Sequence, residues 1–152
     1  MDNLALLTSS RVLHVLGAIV LFGGAVFIRY LLSPAAAAAT LSEDQHESLK
    51  EQVSRRWRQV VGIMIGVLIL TGGLNFYRAL GDHKGDSLYH ALMGIKILLA
   101  FVVFFYASAL AGRAKAFANI RKNGQFWMTV NLALATIVVA IAGFLKVRGV
   151  PH

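Results

Sequence analysis

Residues 12–32 read Val12-Leu-His14-Val-Leu-Gly17-Ala-Ile-Val-Leu-Phe22-Gly-Gly24-Ala-Val-Phe-Ile-Arg29-Tyr-Leu-Leu32. An apolar stretch of about 20 residues is long enough to cross a bilayer as an α-helix. Three later stretches have the same character, namely Gln59–Tyr77, Ala91–Gly112 and Phe126–Leu145. The connections between them are short, which favours antiparallel neighbours. We therefore predict an all-α integral membrane protein, an antiparallel four-helix bundle that forms a single domain over residues 1–152.

The composition excludes several classes of protein and site. Of the 152 residues, 57% are hydrophobic and 14% are charged, whereas a soluble domain is about 25% charged. The chain has no cysteine, which excludes disulfides, iron–sulfur clusters and thiolate metal sites. The net charge is +8, but the basic residues are scattered around the span ends. That placement predicts contact with lipid headgroups and argues against nucleic-acid binding.

The distribution of basic residues predicts the orientation. The loops after the first and third spans, with their flanks, carry nine: Arg29, Lys50, Arg55, Arg56, Arg58, Arg113, Lys115, Arg121 and Lys122. The opposite side carries five: Arg11, Arg78, Lys84, Lys146 and Arg148. Because cytoplasmic loops are enriched in Lys and Arg, we expect a bacterial inner-membrane protein with both termini outside.

Local signals predict how the spans begin and end. Residues 42–45 read Ser-Glu-Asp-Gln, a capping box, and no helix breaker follows before the second span. We expect that span to continue a helix from the loop, with Trp57 at the membrane interface. Ser87 is the expected N-cap of the third span. The helix of that span is expected to extend through residues 111–118.

A GxxxG motif lies in the second span, at Gly62 and Gly66, and Gly72 and Gly73 follow it. Such glycines let helices approach closely. The close neighbour is either another helix of the same chain or a second copy, in which case the protein is a homo-oligomer.

His14 is the most informative polar residue of the first span. An ionisable side chain at membrane depth is a functional candidate by default, and Gly17 and Gly24 beside it clear room for a second helix or for a flat cofactor. The first and third spans run in the same direction, so His90 and Lys96 can converge with His14. These two are six residues apart, about 9 Å of rise and about 120° of rotation. One of them, not both, could ligate a metal opposite His14.

Each of these residues has a functional and a structural interpretation. His14 is an axial haem ligand, or an imidazole bonded to a neighbouring helix; no Asp or Glu lies in any span. His90 is a second haem ligand or the edge of a quinone or porphyrin pocket, or an interfacial side chain. Lys96 is an amine ligand or a cation that pairs with an anionic group such as a propionate, or it snorkels to the surface. Copper is the alternative metal, because His90 and Met93 are three residues apart on one helix.

Several short motifs resemble those of a known group of membrane proteins. They are His14-x-x-Gly17-x-x-x-x-Phe22-x-Gly24 followed by Arg29, then Arg55-Arg-Trp57, and Gly94-Ile95-Lys96 followed by Tyr106 and Arg113. Over residues 10–145 the chain resembles the HemJ-type protoporphyrinogen oxidases and the related copper-resistance D (CopD-like) domains. It departs from the pattern at Leu21, where the family usually has Trp, and at Gly94, where the HemJ family has His.

The resemblance to the HemJ-type proteins implies a four-helix protein with haem b that oxidises protoporphyrinogen IX and passes electrons toward the respiratory chain. His14 and Lys96 would be the key polar residues. The CopD-like side of the resemblance implies copper handling.

The function that we expect is that of a haem b-binding membrane protein with an electron-transfer or oxidoreductase role and quinone or a respiratory partner. The alternatives are a copper-handling module that uses His14, His90 and Met93, and a non-catalytic subunit of a membrane complex.

Overall fold

The computed structural model describes residues 2–149, and no β-strand occurs among them. Its helices are α1 (Asp2–Phe27), a π-helical turn (Ile28–Leu32), α2 (Ser33–Ala38), α3 (Glu43–Asp82), α4 (Ser87–Ala111), a 3₁₀ turn (Lys115–Phe117), α5 (Ala118–Lys122) and α6 (Gly124–Arg148). Four segments are long and apolar enough to cross a membrane. The predicted all-α membrane fold is confirmed. The predicted domain covers residues 1–152, and its ends, Met1 and residues 150–152, lie outside the described residues.

The four long helices pack in a ring. α1 contacts α3 and α6, and α4 contacts α3 and α6. Apolar residues such as Val61, Leu68, Leu132 and Leu145 are buried between the helices, while most other large apolar side chains face outward, as expected for a surface in contact with lipid. α1 begins, α3 ends, α4 begins and α6 ends at one end of the bundle, which we call the terminal side. The opposite end, with α2 and α5, is the loop side.

The first helix begins earlier than hydropathy predicts. It starts at Asp2, ten residues before the predicted first span, because residues 4–7 are apolar and no helix breaker separates them from Val12. His14 therefore lies about 18 Å along α1, at 1.5 Å per residue. His14 therefore lies deeper in the bundle than expected for a residue only two positions after Val12, the predicted start of the first span.

A π-helical turn connects α1 to α2, and Pro34 explains it. Proline has no N–H to donate to the carbonyl four residues earlier, and its ring clashes with that carbonyl. The chain widens by one residue, so the Ser33 N–H bonds the Ile28 carbonyl. Arg29 lies in this turn and donates from Nε to Thr129 Oγ1 on α6, at 3.2 Å. The π turn thus ties α1 to α6 at the loop side.

The capping box at Ser42 is confirmed. The Ser42 side chain accepts from the Gln45 N–H and the Ser42 N–H bonds Gln45 Oε1, and α3 continues without a break for 40 residues.

Two predicted helix ends are wrong. Asp86, not Ser87, caps α4, because its carboxylate accepts the Tyr89 N–H at 3.1 Å. α4 stops at Ala111 and does not extend through residues 111–118. Gly112 turns the backbone to an extended conformation, and Arg121 reaches back to donate to the carbonyl of Ala109 in the last turn of α4, at 3.3 Å.

Candidate functional site

The imidazole of His14 is half-buried between α1 and α3 and is bonded to Thr71. His14 Nδ1 lies 2.9 Å from Thr71 Oγ1. The Thr71 hydroxyl in turn donates to the carbonyl of Val67, one turn earlier on α3, at 2.6 Å. This chain of two hydrogen bonds joins the backbone of α3 to the side chain of α1. The imidazole is thereby held in one orientation at the interface of the two helices.

A second polar contact supports this interface one turn nearer the terminal side. Ser10 is buried. Its hydroxyl lies 3.4 Å from the carbonyl oxygen of Thr71 and 3.3 Å from Asn75 Oδ1, and it can donate to either. Ser10 precedes His14 by four residues on α1, and Thr71 precedes Asn75 by four on α3. Side chains at this spacing share a helix face, so two polar residues of each helix meet two of the other.

Sequence reasoning missed Ser10 and Thr71. The signal that could have found them is the shared four-residue spacing of the Ser10–His14 and Thr71–Asn75 pairs. A single Thr or Ser in a span is common, since its hydroxyl can bond the carbonyl one turn earlier. Only the packing of α1 on α3 shows that Thr71 bonds His14 and that Ser10 bonds the neighbouring part of α3.

Glycines allow the close approach of α1 and α3. A Cβ at Gly72 would lie 3.2 Å from His14 Cε1, so the imidazole rests against bare backbone. A Cβ at Gly17 would touch Leu68 at 3.4 Å, and one at Gly24 would overlap the ring of Trp57. Of the two uses predicted for Gly17 and Gly24, the structure shows the helix neighbour. Their role in cofactor binding stays a prediction.

Lys96 lies on α4, in the same half of the bundle as His14, and its charge acts electrostatically on the imidazole. Within residues 2–149, no hydrogen bond or ion pair is found for the Lys96 ammonium. That Lys96 and His14 converge on one cofactor stays a prediction.

His90 is placed differently. It lies in the first turn of α4, about 9 Å of helix rise from Lys96, on an exposed part of the helix surface. Its ring contacts that of Tyr89 edge-on, with centroids 5.7 Å apart. No contact between His90 and His14 is found in the described part of the chain. A role for His90 as a ligand stays a prediction that the structure does not favour over Lys96.

An apolar hollow of about 430 Å³ opens between α4 and α6 on the terminal half of the bundle. Its lining is Leu88, Leu92, Ala140, Ile141 and Phe144. Leu92 and Lys96 are one turn apart and share a face of α4. His90 is two residues from Leu88 and from Leu92, about 200° around the helix, and so lies on the other side. The hollow is thus next to Lys96, while His14 does not line it.

The donors that the structure brings together are few. No group of three or more His, Asp or Glu that could hold a metal is present in residues 2–149. A haem brings its own four nitrogens and needs only one or two donors from the protein. The imidazole of His14, held by a hydrogen bond on Nδ1, is a donor of that kind.

No protein-family model matches the chain, and no solved structure matches it. The chain is similar to a UPF0756 membrane protein of Klebsiella pneumoniae (strain 342), with 30% identity over 95 residues. The match covers 62% of this chain, and the chain spans only 59% of the length of that relative. This similarity to a membrane protein agrees with the four helices that are long and apolar enough to cross a membrane.

Proposed function

We propose that this protein binds haem b in the membrane and has an electron-transfer or oxidoreductase role. The observation that carries the proposal is the His14–Thr71 hydrogen bond, which holds an imidazole between two spans. Haem-ligating and metal-ligating histidines are commonly oriented by such a bond on the other ring nitrogen. When bound, haem supplies reversible one-electron chemistry, which the protein tunes through ligand identity, burial and local charge.

In this proposal His14 would hold the haem through its imidazole and Lys96 would complete the site. Lys96 would be either a second ligand, as a neutral amine, or the cation that pairs with a propionate. It is favoured over His90 because it shares a helix face with the apolar hollow, whereas His90 lies on the opposite side of the helix. That hollow suits the ring of a quinone, an apolar electron acceptor. The motifs that resemble the HemJ-type proteins make protoporphyrinogen IX the first substrate to test.

The proposed location is a bacterial inner membrane with both termini outside. The excess of Lys and Arg on the loop side supports this orientation. The haem site then lies in the outer half of the bilayer. Electrons would enter from a reductant and leave to quinone or to a respiratory partner.

The absorption spectrum of the purified protein, with iron and copper content, tests the proposal. We expect a Soret band in the wild-type protein that is lost in His14→Ala. His46→Ala is the matched control, because His46 is an exposed histidine near the start of α3, and its spectrum should be unchanged. A colourless wild-type protein, or a His14→Ala variant that keeps the band, overturns the proposal. Stoichiometric copper without iron would favour the copper-handling alternative instead.

A second candidate function, a subunit in a larger assembly or a homo-oligomer, is favoured by one observation. A Cβ added at Gly62, Gly66 or Gly73 would meet nothing within 4 Å. These positions lie on one face of α3, since they are four and seven residues apart. The GxxxG motif is therefore not used for packing within the chain, and the face is open to another helix.

Leucine substitutions test this second candidate. Gly66→Leu should reduce self-association in a crosslinking assay in liposomes, because the side chain blocks close approach. Gly143→Leu on α6, where a Cβ also meets nothing within 4 Å, is the control and should leave association unchanged. Equal crosslinking in all three proteins would contradict the candidate.

A further inference from the structure

We infer that Thr71 is a positioning residue that fixes His14 as the Nδ1–H tautomer, so that Nε2 is the nitrogen that binds a ligand. The identity of that ligand as haem iron rests on the proposed function. The tautomer itself rests only on the contacts between α1 and α3.

The Thr71 hydroxyl has a single hydrogen to donate. Thr71 Oγ1 and the Val67 carbonyl oxygen are 2.6 Å apart, a short distance for an O–H···O hydrogen bond. Two oxygens this close repel each other unless a hydrogen lies between them. The carbonyl has no hydrogen to give, so the hydroxyl donates its own to Val67.

The bond from Thr71 to Val67 determines which nitrogen of the neutral His14 ring carries the proton. Because the Thr71 hydroxyl donates its one hydrogen to the Val67 carbonyl, Oγ1 can only accept a hydrogen bond from His14 Nδ1, 2.9 Å away. The proton of a neutral imidazole therefore lies on Nδ1, and Nε2 carries the lone pair.

Acidic side chains are absent from the described parts of the spans beside this site, which contain no Asp or Glu between residues 52 and 81 or between residues 87 and 149. The hydroxyl of Thr71 is therefore the side-chain partner that the hydrogen bonds give the imidazole. Gly72 leaves room for the ring, because a Cβ at this position would lie 3.2 Å from Cε1 of His14.

The chemical role of this arrangement is to present a lone pair. Nε2 of the Nδ1–H tautomer is an electron-pair donor to a metal centre, and the bond to Thr71 raises its donor strength and fixes the plane of the ring. Loss of such an outer partner typically weakens metal binding by about 10–100-fold.

The test measures the tautomer in the protein before haem is added. Protein labelled with ¹⁵N-histidine is placed in nanodiscs, and long-range ¹H–¹⁵N spectra separate protonated from unprotonated ring nitrogens. His14→Gln identifies the His14 signals among those of the five histidines. We expect a protonated Nδ1 and an unprotonated Nε2. A protonated Nε2, in the neutral ring or in the imidazolium, overturns the inference.

Two Thr71 variants test the positioning role. Thr71→Ser keeps the hydroxyl and should keep the tautomer. Thr71→Val removes it at nearly constant shape and should shift His14 toward the Nε2–H form that dominates in free histidine. An unchanged tautomer in Thr71→Val shows that Thr71 does not set it. If Thr71→Val fails to fold, the wild-type and Thr71→Ser spectra still decide whether the Nδ1–H assignment holds.

Haem titration of the same proteins separates this inference from the proposed function. We expect haem affinity to fall by about 10–100-fold in Thr71→Val and to stay near wild type in Thr71→Ser. Equal affinity in both variants contradicts the positioning role. If the wild-type protein binds no haem while its His14 is the Nδ1–H tautomer, the proposed function fails and the tautomer assignment stands.

Discussion

An alanine at position 24 tests how α1 packs on α3. The added Cβ would overlap Cζ3 and Cη2 of Trp57, and the indole would have to withdraw by about 1 Å to reach ordinary contact. Overpacking of this kind costs about 1–3 kcal/mol. Replacing a helical glycine by alanine offsets up to about 1 kcal/mol of that cost. The neighbouring Gly23→Ala is the matched control, since a Cβ there meets nothing within 4 Å.

The informative quantity is the difference between the two variants. Gly24→Ala should have a free energy of unfolding about 1–3 kcal/mol lower than that of Gly23→Ala, because helix propensity cancels. The assay is unfolding in detergent followed by circular dichroism. In a Trp57→Leu background the difference should shrink, as expected for residues in contact. Equal stability of the two variants in the wild-type background would refute the packing of Trp57 on Gly24.

Three further perturbations probe other contacts. The hydrogen bond from Arg148 holds the pKa of Asp86 below its ordinary value of 3.8. The pair therefore stabilises the fold above about pH 4, and this stabilisation is lost as the pH falls through the lowered pKa. Thermal unfolding should therefore show an acid loss of stability that Asp86→Asn lacks; identical pH profiles would contradict this. Asn131 is 7% exposed, and its Oδ1 has no hydrogen-bond partner in the described residues. Asn131→Leu should therefore raise the free energy of unfolding by about 1–3 kcal/mol. A fall of that size would contradict the burial of Asn131 with an unpaired Oδ1. The exposed pair of Glu51 and Arg113, at 2.7 Å, should contribute at most about 1 kcal/mol in a double-mutant cycle, and a larger coupling would show that it is better shielded than its exposure indicates.

Hydropathy was enough to predict the four spans, because each is a long apolar run between polar segments. It failed at the start of α1, where apolar residues 4–7 lie beyond a short polar run that includes Ser10. Ser10 is buried against α3, and a buried polar side chain cannot be distinguished from an exposed one by composition. The cap of α4 was misplaced by one residue because Asp86 also pairs with Arg148, a contact between residues 62 positions apart.

The candidate site was predictable only in part. The costs of burying an ionisable group singled out His14 and Lys96, and the parallel course of the first and third spans placed them on the same half of the bundle. Helix geometry showed that His90 and Lys96 could not both bind one metal, but not which of them would. The four-residue spacing of Thr71 and Asn75 could have marked a polar face of α3, but the partner of Thr71 depends on the register of α1 against α3. The use of each glycine likewise depends on the packing of the helices.

Reconstitution of the purified, haem-free protein with haem b tests whether His14 binds the haem. The Soret absorbance is followed as haem is added to the wild-type protein, to His14→Gln and to His46→Gln. We expect wild type and His46→Gln to saturate at the same fixed ratio of haem to chain, and His14→Gln to show no saturable binding. Saturation of His14→Gln at the wild-type ratio and affinity, or its absence in the wild-type protein, would contradict it.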